Sequence, residues 1–168
     1  MQTAPAVGEP APPFRLVGTG GREYALEDYR GAPVVLVFYP ADGSPVCTLQ
    51  LRTYSDDLDA FAALGAPVLG IGPQDPESHE RFATLAGLRF PLLSDEDRAV
   101  GQAYGVLGPV GFYRRSVFVL RPDHTIAYAR RARAGLSFRP TRELLAALED
   151  VVGPVPPGAG RHPGSAPA

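Results

Sequence analysis

Two periods of apolar residues alternate along this chain, and each marks a different kind of element. Val34 to Tyr39 is a continuous apolar run rich in β-branched residues, the pattern of a strand buried on both faces. Pro67 to Ile71, the short Pro91-Leu92-Leu93 and Ser116 to Leu120 read the same way. Thr125 to Ala129 pairs with the last of these as a hairpin around Pro122-Asp123-His124. A hairpin is also expected where Phe14 to Val17 and Glu23 to Leu26 flank the turn Gly18-Thr19-Gly20-Gly21-Arg22. Helical spacing governs the segments between. From Pro45 to about Leu64, the residues Leu49, Tyr54, Leu58, Phe61 and Leu64 fall near one helical face. Glu77 to Leu85 is a helix introduced by Asp75-Pro76, a cap followed by a first-turn proline. Asp95 to Tyr104 is a shorter helix. Thr141 to Val152 is the last, with Thr141 as the expected cap and Glu143 nearby. Such alternation predicts an α/β sandwich around a mixed sheet.

The 168 residues suffice for one domain with a sizeable core. The Ala- and Pro-rich residues 1–12 read as a loose arm, 13–152 as the domain, and 153–168 as a disordered Pro/Gly-rich tail. Formal charge is −2 with both signs interspersed, which argues against nucleic acid or an anionic membrane as partner. No apolar run approaches the roughly 18 residues of a membrane span. The N-terminal residues have neither a basic start nor an apolar signal core, so a cytoplasmic location is expected. His79, His124 and His162 are too scattered for a metal site, with His79 placed on a helix surface. Gly70-Ile71-Gly72 lacks the third glycine of a dinucleotide fingerprint, and no Gly-Lys-Ser/Thr follows the glycines at 18–21. No metal or organic cofactor is expected.

Chemistry concentrates at Cys47, the one cysteine in the chain. It follows a strand, a proline stop at Pro40 and a turn of small polar residues, and it lies in the first turn of the helix opened by Ser44-Pro45. Unpaired backbone N–H groups and the positive end of the helix dipole favour its thiolate there. An activated thiol needs roughly 3 kcal/mol of preference for the thiolate form. A helix N-terminus supplies about 0.3–1 kcal/mol, reaching about 2 in good geometry. A cation must supply the rest, and the best candidate is Arg115, which begins the apolar strand Ser116 to Leu120. Arg114 is its competitor. Strand neighbours face opposite ways, so only one of the two easily reaches Cys47. Ser44 is a natural helix N-cap. With one cysteine, no internal disulfide is available, and without Cys-x-x-Cys a thiol–disulfide oxidoreductase is a weak reading.

The spacing Pro40-x-x-x-Ser44-x-x-Cys47 resembles the active-site loop of peroxiredoxins. Gly70 to Asp75, Phe90 to Asp97, Tyr104-Gly105-Val106 and Arg115 before its strand are similar to the bacterioferritin comigratory protein, or Q-type, subgroup. The match spans about residues 8 to 150. It implies a thioredoxin-like fold, with a central mixed β-sheet flanked by helices. It also implies a thiol-dependent peroxidase that reduces hydrogen peroxide or organic hydroperoxides through a Cys47 sulfenic acid. Cys47, Ser44, Arg115 and Pro40 would form the catalytic set, with the Ser44 hydroxyl on the peroxide oxygens and Pro40 shaping the pocket wall. Ser44 departs slightly from the commoner threonine.

A larger departure concerns the second cysteine that many Q-type relatives carry. Its two usual positions match Arg52 and Gly101 here, so the chain resembles a 1-Cys version. Oxidised Cys47 then needs an external thiol, whether thioredoxin, glutaredoxin or a low-molecular-weight thiol, or else Cys47 of a second chain. A monomer or weak homodimer is expected. A peroxide sensor or redox relay acting through a mixed disulfide at Cys47 is the rival reading.

Overall fold

The computed structural model describes residues 3–133 and 137–153. The first hairpin forms as expected, with β1 (Arg15–Val17) antiparallel to β2 (Glu23–Ala25). β3 (Val34–Phe38) is fully buried and leads into α1 (Pro45–Asp56). The long helix expected from Pro45 to about Leu64 breaks at Asp57, whose non-helical backbone (φ −94°, ψ 13°) separates α1 from α2 (Leu58–Ala63). β4 (Val68–Gly72), α3 (Pro76–Ala86), β5 (Leu92–Ser94) and α4 (Ala99–Ala103) follow. The last elements are β6 (Ser116–Leu120), β7 (Ile126–Arg131) and α5 (Thr141–Val152).

Five strands make one mixed sheet in the order β5-β4-β3-β6-β7. β3, β4 and β5 are parallel, and β6 and β7 are antiparallel to their neighbours. The side-chain period of two divides β3 between two cores. Val34, Leu36 and Phe38 pack with Phe118, Leu120, Tyr104 and Val106 on one face. Val35 and Val37 pack with Val117, Val119, Leu51, Tyr54, Phe61, Leu144 and Leu148 on the other. Cys47 belongs to that second core. Burial on both faces explains why β3 lacks polar alternation.

Several local expectations are corrected. The segment read as a loose arm is tied to the hairpin of β6 and β7. Gly8 N–H donates to Ile126 at 2.7 Å, Ile126 N–H donates to Glu9 at 2.9 Å, and Ala11 N–H donates to His124 at 2.8 Å. Thr141 does not cap α5. Pro140 occupies the cap position, and the Thr141 hydroxyl instead donates to Asp57 Oδ2 at 2.6 Å, joining α5 to the break between α1 and α2. The helix expected from Asp95 begins only at Ala99, because the Asp95 carboxylate accepts from the N–H groups of Val100 (3.1 Å) and Gly101 (2.8 Å). Asp75 does cap α3, accepting from Ser78 N–H at 2.8 Å. The expected tail beyond Gly153, with His162, lies outside the described residues.

Candidate active site

Strand register assembles the site. β3 ends where β6 begins, since Phe38 pairs with Ser116. Arg115 therefore stands level with the chain leaving β3. Parity then chooses between the two arginines. Arg115 shares its face with Val117 and Val119, which pack in the core that holds Cys47. Its Nη1 lies 3.2 Å from Cys47 Sγ. Arg114 points elsewhere and donates from Nη2 to the Leu107 carbonyl at 3.3 Å.

Cys47 is the third residue of α1 and is fully buried. Ser44, at the N-cap, accepts from Cys47 N–H at 3.3 Å, and its carbonyl accepts from the Thr48 hydroxyl at 2.8 Å. Pro45 at the first helical position has no N–H to leave unsatisfied. Pro40 is half-buried and lines a cavity of about 430 Å³ together with Arg115. Ser44, Arg115 and Cys47 are thus linked by direct hydrogen bonds, and Pro40 meets Arg115 across the cavity wall. Arg52, one further turn along α1, is exposed.

Three supporting groups escaped the sequence reading. Gln50 is fully buried one turn after Cys47, and its Oε1 accepts from Arg115 Nη1 at 2.7 Å. The Gln50 amide also donates to the Tyr54 hydroxyl at 3.4 Å, which donates in turn to the Arg139 carbonyl at 2.6 Å. Burial pushes the Tyr54 hydroxyl up to about 12, so it remains a donor at neutral pH. The spacing of Cys47, Gln50 and Tyr54 (three, then four) was the available signal, since all three fall on one helical face.

The second miss is His79. It is not on the helix surface but fully buried, on the same face of α3 as Phe82. Its Nδ1 lies 2.8 Å from Asp42 Oδ2, and its Nε2 lies 3.1 Å from the Leu93 carbonyl. Asp42, the third, also accepts from the hydroxyls of Tyr39 (2.7 Å) and Ser78 (2.7 Å). Burial pushes the Asp42 carboxyl up, but the hydrogen bonds from His79, Ser78 and Tyr39 outweigh it and hold the group below its ordinary value. Gln74 adds a second clamp, donating to the Pro40 carbonyl (3.1 Å) and accepting from Asp42 N–H (3.2 Å). The turn between β3 and α1 is thereby tied to β4, β5 and α3. Close packing requires a glycine at Gly72, where a Cβ would meet Tyr39 Cζ at 3.0 Å and His79 Cε1 at 3.1 Å.

No group of three His, Cys, Asp or Glu residues suited to a metal occurs among the described residues.

Comparison with known proteins places this geometry. The AhpC/TSA family model matches residues 7–129. A Mycobacterium tuberculosis protein assigned as a peroxiredoxin is 41% identical over 129 residues, which cover 73% of this chain and 82% of that one. Chloroplastic peroxiredoxin Q of Sedum lineare is 43% identical over 99 residues, 59% of this chain and 53% of the plant protein. Xanthomonas campestris peroxiredoxin Q superposes with a TM-score of 0.77 at 30% identity, over 83% of this chain and 92% of its own. For Mycobacterium tuberculosis peroxidoxin BcpB the TM-score is 0.79 at 27% identity, over 88% and 98%. With a matching family model, a matching fold and one cysteine at the head of α1, this chain belongs to the AhpC/TSA family as a 1-Cys peroxiredoxin of the Q, or bacterioferritin comigratory protein, type.

Proposed function

We propose that the chain is a thiol-dependent peroxidase whose nucleophile is the Cys47 thiolate. The observation that carries this reading is the contact of 3.2 Å between Arg115 Nη1 and Cys47 Sγ at the capped N-terminus of α1. A guanidinium in hydrogen-bond contact with sulfur favours the charged thiolate over the neutral thiol. Gln50 holds the same Nη1 with a neutral amide, so this partner brings no competing negative charge.

The reaction follows from those groups. Sulfur attacks the nearer peroxide oxygen in line with the O–O bond. As the bond breaks, the departing oxygen gains negative charge, which Arg115 and the Ser44 hydroxyl stabilise before it leaves as water or alcohol. Cys47 becomes a sulfenic acid, and two external thiol groups, oxidised together to a disulfide, return it to the thiolate. Organic hydroperoxides fit this chemistry as well as hydrogen peroxide does. The alkyl peroxide reduction activity named for the Xanthomonas campestris relative supports their inclusion.

Rapid mixing with hydrogen peroxide, followed by intact mass, is the test. Cys47 should gain one oxygen far faster than free cysteine reacts, and thiol addition should sustain many turnovers. The rate of an ordinary thiol would remove the peroxidase reading, whereas a single fast oxidation without turnover would favour the relay.

A further inference from the structure

The wall behind Arg115 carries a charge pattern that the peroxidase reading does not use. A cavity of about 270 Å³ reaches Arg115 and Gln50 and is lined by Arg115, Arg130, Arg131, Arg133 and Arg139. The neighbouring cavity of about 430 Å³ shares Arg115 and Arg133. Among the described residues, no carboxylate lines either one. This concentration is unexpected in a chain of formal charge −2.

Glu143 accounts for part of it. It pairs with Arg139 at 2.5 Å and approaches Arg130 at 3.8 Å. Arg131 and Arg133 have no carboxylate within ion-pair distance among the described residues. Arg131 turns its guanidinium to the opposite face of the sheet, over Phe118 and onto the carbonyls of Tyr104 and Pro5, so its charge lies outside the cleft. Arg133 is exposed. Among the described residues, Arg115, Arg130, Arg133 and Arg139 against the single carboxylate of Glu143 leave the cleft with excess positive charge, which an anion relieves.

Timing within the cycle bears on when an anion is drawn in. On the peroxidase reading, the attacking Cys47 thiolate offsets Arg115. Once sulfur carries OH it is neutral, and the cleft gains one unit of net positive charge. Attraction for an anion therefore peaks in the oxidised enzyme, the state that has to meet its reductant. Size matters too, because Sγ is fully covered and the Arg115 side chain that contacts it also lines the cleft. A small molecule displaces that side chain far less than a protein surface would.

We propose that the arginine-lined cleft behind Arg115 binds a low-molecular-weight thiol carrying a carboxylate, and that this thiol resolves the Cys47 sulfenic acid. The proposal rests on the peroxidase reading. Its first step joins the thiol sulfur to Sγ and breaks the S–O bond, and the hydroxide leaves with the thiol proton as water. A second molecule of the thiol attacks the first one's sulfur, releasing the Cys47 thiolate and a small-molecule disulfide. Two thiols supply the two electrons.

The test uses the full chain, oxidised with one equivalent of hydrogen peroxide. Intact mass first checks for the single added oxygen. Mixed-disulfide formation is then timed with 3-mercaptopropionate, 2-mercaptoethanol and cysteamine, each rate expressed per thiolate. The same series is run on R130Q/R133Q, whose altered residues are exposed and lie outside the catalytic set. The variant should slow the mercaptopropionate step roughly three- to tenfold, leave mercaptoethanol unchanged and not slow cysteamine. High salt should erase the difference. Taking the variant-to-wild-type ratio for each thiol cancels that thiol's own reactivity. Absence of the added oxygen would overturn the peroxidase reading and this proposal with it. Sulfenic acid that forms and then shows equal ratios for all three thiols would overturn the proposal alone. So would variants that slow only a carboxylate-bearing hydroperoxide, or only reduction by a thioredoxin-type protein, since the cleft would then serve substrate or a protein partner.

Discussion

At the residue scale, the two adjacent arginines are the sharpest test of the site. Arg115 is 4% exposed and touches sulfur, while Arg114 turns to the Leu107 carbonyl. A hydrogen bond to a charged group contributes about 1.5–3 kcal/mol. Arg115→Ala should therefore slow peroxide reduction about 10- to 100-fold, measured by stopped-flow oxidation of Cys47. Arg114→Ala should cost only a few-fold, and the reverse order would mean that the parity argument is wrong. Gln50→Leu keeps a similar volume but removes the acceptor at 2.7 Å that orients Arg115. It should lower the same rate by a smaller factor, about three- to tenfold, corresponding to one lost neutral acceptor.

At the element scale, the turn between β3 and α1 is held from outside. Ser44→Ala removes the cap on Cys47 N–H and should destabilise the fold by about 1 kcal/mol in denaturant titration. Asp42 couples that turn to α3 through His79 and Ser78, and to the end of β3 through Tyr39. Its folded value lies below the ordinary 3.8, so the carboxylate stabilises the fold above pH of about 4. That contribution is lost as pH falls through the depressed value. Asp42→Asn should accordingly be less stable than wild type near neutrality, by about 1–3 kcal/mol. The gap should close on acidification, as denaturation midpoints from pH 7 to pH 3 would reveal. A gap that stays constant with pH would show that Asp42 acts by shape and not by charge.

At the scale of the whole molecule, the lone thiol determines the oxidation products. Residues 45–56 form one continuous helix, with Cys47 buried and Arg52 exposed. Residues five apart on such a helix are separated by roughly 8.6 Å at Cα, beyond the usual disulfide range of about 4.4–6.8 Å. Arg52→Cys should thus give little internal disulfide after one equivalent of peroxide, as read by non-reducing mass spectrometry. Gly101 is closed for another reason. A Cβ there would fall 2.6 Å from Tyr113 Cε1, and the Tyr113 hydroxyl is itself bound to Asp95. Gly101→Cys should destabilise the chain by about 1–3 kcal/mol through overpacking, visible as a lower denaturation midpoint. Wild type without reductant should pass from sulfenic to sulfinic acid under excess peroxide, since no second thiol traps the first product. A dominant Cys47–Cys47 dimer would overturn the external-thiol cycle.

Local chemistry made much of this protein readable in one dimension. The unbroken apolar run of β3, the Ser44-Pro45 helix start and the Asp75-Pro76 cap are short-range patterns, and they formed where the sequence placed them. Alternation along a strand even separated Arg115 from Arg114, because the side-chain period of two needs no partner to operate. What failed were inferences about environment. Flanked by Ser78 and Glu80, His79 looks solvated until α3 is laid against β4 and β5, where Asp42 and two carbonyls wait for its ring. Thr141 looks like a cap until Asp57 stands opposite it. Gln50 looks unremarkable until the β3–β6 register delivers Arg115 from 65 positions away. Sequence-local physics reached most of the elements and the placing of the lone cysteine in the first turn of a helix, because backbone preference and helix capping act over a few residues. Which buried polar groups meet, and where the arginines gather, follows from the three-dimensional assembly, because those contacts arise from sheet register and packing between segments distant along the chain.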